Sequence, residues 1–131
     1  MKIIRSRTFT GERPWAALDI ANMNGITTRL HWTDQPYKWH VNDGQEVFVV
    51  LDGRVDMHYK DENIENTVRL ETGDIFYASV GTAHVAHPIG EARILVVDDS
   101  TLIRRQLREC LSDAGYNVLE AENGRIGLQL A

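Results

Sequence analysis

Along the first part of the chain, apolar and polar residues alternate with a period of two, the pattern of strands that bury one face. Residues 18–22 and 26–32 are two such runs, with Ile26, Leu30 and Trp32 on one parity and His31 on the other. That parity makes Ile26, Leu30 and Trp32 the core side and puts His31 at the surface. Between the runs, Met23-Asn24-Gly25 supplies the positive φ angles of a tight hairpin. Residues 46–51 and 54–59 read as the clearest hairpin, joined by Asp52-Gly53, with Phe48, Val50, Val55, Met57 and Tyr59 along one side. Residues 60–66 are polar and read as a loop. Short strands at 67–70, 75–78 and 84–87 follow, separated by Thr72-Gly73 and Gly81. A turn at Pro88-Ile89-Gly90-Glu91 leads into the apolar run 92–97. Many short strands with regular turn signals predict a β-barrel or sandwich.

After Val97 the period changes to a helical one. Ile103, Leu107, Cys110, Leu111 and Ala114 share one face of a helix capped by Ser100 and stopped by Gly115. Residues 116–121 read as a strand, Asn123-Gly124 as a turn, and 126–130 as the start of a second helix. The expected fold class is therefore mainly β, with a short C-terminal α/β extension of helix, strand and partial helix.

Composition adds a boundary to this picture. All five histidines, three tryptophans and three phenylalanines precede residue 94, so the candidate chemistry belongs to the strand-rich part. The 131 residues, 43% hydrophobic and 25% charged, have an ordinary globular balance. No apolar run approaches the roughly 18 residues of a membrane span. Met1-Lys2-Ile3-Ile4-Arg5 has no signal-peptide core, and the single cysteine forms no internal disulfide. The expected location is the cytoplasm. A net charge of −5 disfavours nucleic acid and anionic membranes as partners. A small molecule is the partner that remains.

His40 and Glu46 are six residues apart, an even separation that puts both on one face of an extended segment. His84 enters from a later strand. Two imidazoles and a carboxylate suit a divalent metal, with bonds of roughly 2.0–2.2 Å for zinc. With open positions the same trio suits ferrous iron and oxygen chemistry.

These residues stand in two motifs, His40-Val41-Asn42-Asp43-Gly44-Gln45-Glu46 followed by Gly53, and Gly73-Asp74 followed by Gly81-Thr82-Ala83-His84. Their spacing resembles that of a small single-domain cupin. The resemblance implies a jelly-roll barrel of six to eight strands over about residues 1–97, with a metal or ligand site in its mouth. It implies His40, Glu46 and His84 as metal ligands, with Asn42 as a fourth; Fe, Mn, Zn and Ni are not distinguished. Asn42 stands where the family commonly has a second histidine, Ser79 replaces a usual proline, and Pro88 stands where an asparagine is frequent. An amide oxygen is a weaker ligand than imidazole for transition metals. A metal-free barrel, in which the three residues hydrogen-bond one another or a ligand, is the other reading of the same set.

The remaining candidates are plainer. His58 reads as a surface residue, and His87, three residues from His84, points away from the pocket. Trp15, Trp32, Trp39 and Tyr37 wall a pocket or fill the core. Gln45 is exposed, and Tyr59 and Tyr77 offer hydroxyls or packing. No Ser-His-Asp set, CxxC pair or phosphate-cradling glycine loop is present.

Residues 94–100, the helix from Leu102 to Ala114 and the segment from Gly115 to Gly124 resemble the start of a response-regulator receiver domain. In that family, acids at the positions of Asp98 and Asp99 help hold magnesium, and two carboxylates at a strand end suit such a cation. They also favour the N-terminus of a following helix. The phosphoacceptor strand has no counterpart in this sequence, so no phosphorylation site is expected. The expected division is a barrel at 1–97 and an incomplete receiver-like extension at 98–131, sharing the strand 94–97. The barrel keeps that strand, and the extension packs its helix on the barrel or on a second copy, giving a homodimer. Three functions follow: a metal-dependent enzyme on a small organic or sugar-like molecule, a non-catalytic ligand-binding or sensory cupin, and an interaction module.

Overall fold

The computed structural model describes residues 1–100, in which one 3-10 turn (Ser6–Thr8) precedes seven strands. They are β1 (Ala16–Met23), β2 (Ile26–Thr33), β3 (His40–Val41), β4 (Gln45–Asp61), β5 (Ile64–Leu70), β6 (Ile75–Ala78) and β7 (Ala83–Asp99). Every pairing among them is antiparallel. The two 17-residue strands organise the rest. The first half of β4 pairs with β6 and with the second half of β7, which in turn pairs with β2 and, through it, β1. The second half of β4 pairs with β5 and with the first half of β7, whose other edge carries β3. The result is a jelly-roll whose two sheets share β4 and β7.

This corrects the hairpin expected at Asp52-Gly53, because the segment lies inside one strand. Register shifts between Val50 and Asp52 and between Asp52 and Arg54 mark a bulge. Gly53 sits at φ +81°, and a Cβ there would lie 2.4 Å from the Glu91 carbonyl oxygen. An Asp-Gly pair with its glycine at positive φ serves a hairpin or a bulge. The choice was made by β7, more than thirty residues away in sequence, which pairs with both halves. The bulge also changes parity, so Phe48 and Val50 face the same core as Val55 and Met57. For the same reason Pro88–Glu91 is part of β7 and not a turn, with Pro88 opposite Val55 and Ile89 opposite Arg54.

The polar loop at 60–66 is a second correction. Asp61 pairs with Ile64 across a two-residue turn, Glu62 and Asn63, at φ 51° and 64°. Its flanks are polar because β5 is an edge strand that buries little besides Leu70.

A third correction concerns β2, where the apolar parity faces away from the barrel interior. Trp32 lies opposite Arg93, and both are covered by the N-terminal segment. Arg93 donates through Nε to the Phe9 carbonyl (2.7 Å), through Nη2 to Thr10 Oγ1 (3.2 Å) and through Nη1 to Asp52 (2.6 Å). Arg29 and His31, on the other parity, face the cavity. Both faces of β2 are covered, so alternation alone marked the outer one.

The run 94–97, assigned above to barrel and extension alike, is in β7 between β2 and β4. It is antiparallel to both neighbours, and nothing in its pairing matches the opening strand of an α/β sheet. The rest of the expected extension, residues 101–131, lies outside the described residues.

Candidate metal centre

Three elements bring the predicted trio together. His40 on β3 stands directly opposite His84 on β7, and their rings lie 4.2 Å apart between centroids. Glu46 projects from the first half of β4, where β4 and β7 run side by side. One ligand atom from each of the three lies within 4.8 Å of the other two. Glu46 and His84 are buried, and His40 is half-buried.

The hydrogen bonds decide which nitrogens are available. His40 Nδ1 lies 3.0 Å from the Lys38 carbonyl, and His84 Nδ1 lies 3.0 Å from the Thr82 carbonyl. A carbonyl only accepts, so each Nδ1 donates, and in the neutral ring Nε2 keeps its lone pair. This is how metal-binding imidazoles are commonly oriented. His84 Nε2 is buried with no hydrogen-bond partner, and Glu46 Oε2 stands 3.6 Å from it, beyond hydrogen-bond length. Burial depresses the basicity of His84, but the neighbouring Glu46 carboxylate outweighs it and leaves the imidazole above its ordinary value. A buried, unpartnered nitrogen beside a carboxylate is a fitting donor set for a divalent cation.

Asn42 is placed differently. Its Nδ2 donates to the carbonyls of Gly44 (2.6 Å) and Ser79 (2.8 Å), with that of Ala78 sharing a proton at 3.2 Å, tying the β3–β4 loop to the end of β6. It does not line the cavity that the trio faces, so the structure gathers three of the four expected ligands there.

That cavity, about 250 Å³, is lined besides the trio by Trp15, Arg29, His31, Tyr37, Phe48, Ala86, Val96 and Asp98. Trp15 and Tyr37 make an edge-to-face pair, and Tyr37 in turn meets His40. His31, expected at the surface, sits against Trp15 with Nδ1 3.3 Å from the Trp15 carbonyl. Burial lowers its basicity, which keeps it neutral at pH 7. Asp98 is cross-strand from Glu46, and its Oδ1 is buried without a hydrogen-bond partner. Burial first, then the charge of Glu46, pushes its carboxyl up to about 6.

Arg29, His31 and Asp98 are the cavity residues that sequence reasoning missed. The signal was present: Arg29 and His31 alternate with Leu30 and Trp32, a pattern that also fits a wet cavity. Asp98 was read as half of an acidic pair at a strand end. The other candidates lie elsewhere. His58 and His87 meet edge to face at 4.4 Å away from the cavity, with His58 Nδ1 2.8 Å from Thr67 Oγ1. Exposed Tyr77 donates to Gln45 Oε1 at 3.1 Å, Tyr59 packs on the core, and Trp39 lies under Lys60.

Comparison with known proteins gives the fold a lineage. A family model described as a cupin domain matches residues 31–98, just over half of the chain. No curated protein matches. Among solved structures, a cupin-2 domain containing protein from Shewanella frigidimarina is 24% identical, with TM-score 0.59, covering 67% of this chain and 83% of its own. A protein of unknown function from Streptococcus pyogenes is 14% identical, with TM-score 0.61, covering 74% and 86%. Hydroxypropylphosphonic acid epoxidase from S. wedmorenis, in complex with fosfomycin, is 18% identical, with TM-score 0.51, covering 56% of this chain and 43% of the epoxidase. An Fe(II) form and a Co(II) form of that enzyme also match.

Proposed function

The chain belongs to the cupin domain family, and from that membership we propose that its barrel mouth is a divalent-metal centre for a small organic ligand. His40, Glu46 and His84 are the proposed ligands. The observation that carries this reading is the convergence of three ligand atoms within 4.8 Å, with both histidine Nδ1 atoms already engaged by carbonyls. The Fe(II) and Co(II) forms of the structurally similar epoxidase support a divalent ion in such a barrel. His40, Glu46 and His84 would hold the cation, which would supply Lewis-acid or, as ferrous iron, oxygen chemistry.

The chain's own residues do the rest. The Lys38 and Thr82 carbonyls fix the imidazole planes. Trp15, Tyr37 and Phe48 exclude water from one side of the ligand, and Asp98 holds a proton beside Glu46 in mildly acidic solution. Fold does not choose among reactions, so the ligand class rests on the lining, a mixture of rings and charged groups.

Elemental analysis of the purified protein, followed by reloading with Fe(II), Mn(II), Zn(II) or Ni(II), tests the proposal. One equivalent of metal is expected, and His40→Ala or His84→Ala should lose it. A parent protein that takes up none of these ions would sink the metal centre. The 3.6 Å contact of His84 with Glu46 favours one alternative, a metal-free binding barrel in which a protonated His84 pairs with that carboxylate. In that case His84→Ala would weaken ligand binding with no metal to lose.

A further inference from the structure

We infer that the ligand of this cavity is a small carboxylic acid, its carboxylate held by Arg29 while its apolar body rests against Trp15, Tyr37 and Phe48. The inference rests on reading the cavity as the ligand site, and adds the chemical class of what enters it.

Arg29 lines the same cavity as the trio, on the inward face of β2. Its side chain is 44% exposed, so the guanidinium stands at the rim of the cavity. Its one ion pair among the described residues runs from Nε to Asp19 Oδ1 at 2.8 Å. Asp19 is largely exposed, and exposed pairs contribute about 0–1 kcal/mol. A planar guanidinium fork at the rim of a cavity is the geometry that takes a carboxylate in two parallel bonds.

The surrounding charges select the anion. Arg29 is the permanently charged cation of the lining. Asp98 on the neighbouring β7 and Glu46 on β4 beyond it are carboxyls of the same lining. A monoanion satisfies the single guanidinium. A phosphate dianion would bring its second charge toward those two carboxyls and is disfavoured. Size follows from the register. Arg29 pairs with Val96, which pairs with Phe48, so Arg29 is two strand spacings, roughly 10 Å, from the strand that carries Glu46. The cavity between them, about 250 Å³, has room for a ligand the size of a benzoate or a short-chain acid.

Calorimetric titration of benzoate, benzamide and phenyl phosphate tests this, using Zn(II)-loaded protein and, separately, protein treated with chelator. The two preparations keep the readings apart: failure to take up zinc defeats the metal centre, whereas the Arg29 contact is read in either preparation. Benzoate should bind at least about tenfold tighter than benzamide, as expected for a charge-assisted pair. Arg29→Gln should remove that preference while leaving zinc content and benzamide affinity unchanged, and Arg29→Lys should restore part of it. Equal loss of both ligands in Arg29→Gln, equal affinities in the parent, tighter binding of phenyl phosphate, or no benzoate binding at millimolar concentration would each overturn the inference.

Discussion

Asp98 and Glu46 stand side by side on adjacent strands, and their proximity sets a pH dependence. The folded protein raises Asp98 from 3.8 to about 6, so between those values the native state holds a proton that the unfolded chain has released. Stability contributed by this group is therefore complete below about 3.8 and is lost as pH rises through about 6. Partial exposure reduces the size of the effect to on the order of 1 kcal/mol. In chelator-treated protein, Asp98→Asn should abolish this fall and leave the variant more stable at pH 7, checked by urea unfolding at several pH values. Arg93 gives a different kind of prediction. Its side chain is 9% exposed and bonds the Phe9 carbonyl, Thr10 and Asp52 together. Arg93→Met keeps the packing and loses those charge-assisted bonds, at a cost of about 2 kcal/mol. The loss should also free the N-terminal segment, seen as faster proteolytic clipping before Ala16. None of these roles could be read in the sequence, because Arg93 and Phe9 are separated by 84 residues and meet only through the fold.

Strand identity was largely legible, while the way strands join was not. Residues 75–78 and the β1–β2 hairpin were readable because their signals are local: Asn24-Gly25 takes φ 58° and 92° within its own turn. The Asp52-Gly53 bulge was not, since it depends on which strand lies opposite. Two substitutions separate conformational strain from steric strain along these bent strands. Gly53 and Gly90 both have positive φ, but a Cβ at Gly53 meets the Glu91 carbonyl, whereas one at Gly90 meets nothing within 4 Å. Gly90→Ala should cost about 1 kcal/mol and Gly53→Ala about 3 kcal/mol or more, measured by chemical denaturation. At the other hairpin, Asn63→Gly should stabilise by about 0.5 kcal/mol, because glycine adopts the left-handed conformation without a Cβ.

For the molecule as a whole, a metal held by the proposed trio would link folding to composition of the medium, because His40, Glu46 and His84 come from β3, β4 and β7 and meet only in the native state. A metal at 100 times its dissociation constant adds about 2.7 kcal/mol. For a domain of this size that raises Tm by on the order of 10 °C. The rise should appear with the loaded parent and vanish in His84→Ala, by differential scanning calorimetry. By itself the sequence determined a mainly β barrel and the inward set Phe48, Val50, Val55 and Met57 through period-two patterning. Its two motifs marked the candidate trio, although His40 and Glu46 stand on separate strands and not on one extended segment. Tertiary structure decided the rest: that β4 and β7 cross both sheets, that 94–97 is a barrel strand, and that Arg29, His31 and Asp98 join the trio around one cavity. A strand's alternation records which of its faces differ in polarity, but not what is packed against each face. On β2 both faces are covered, the apolar one by the N-terminal segment and the polar one by the cavity, and only long-range pairing could assign them.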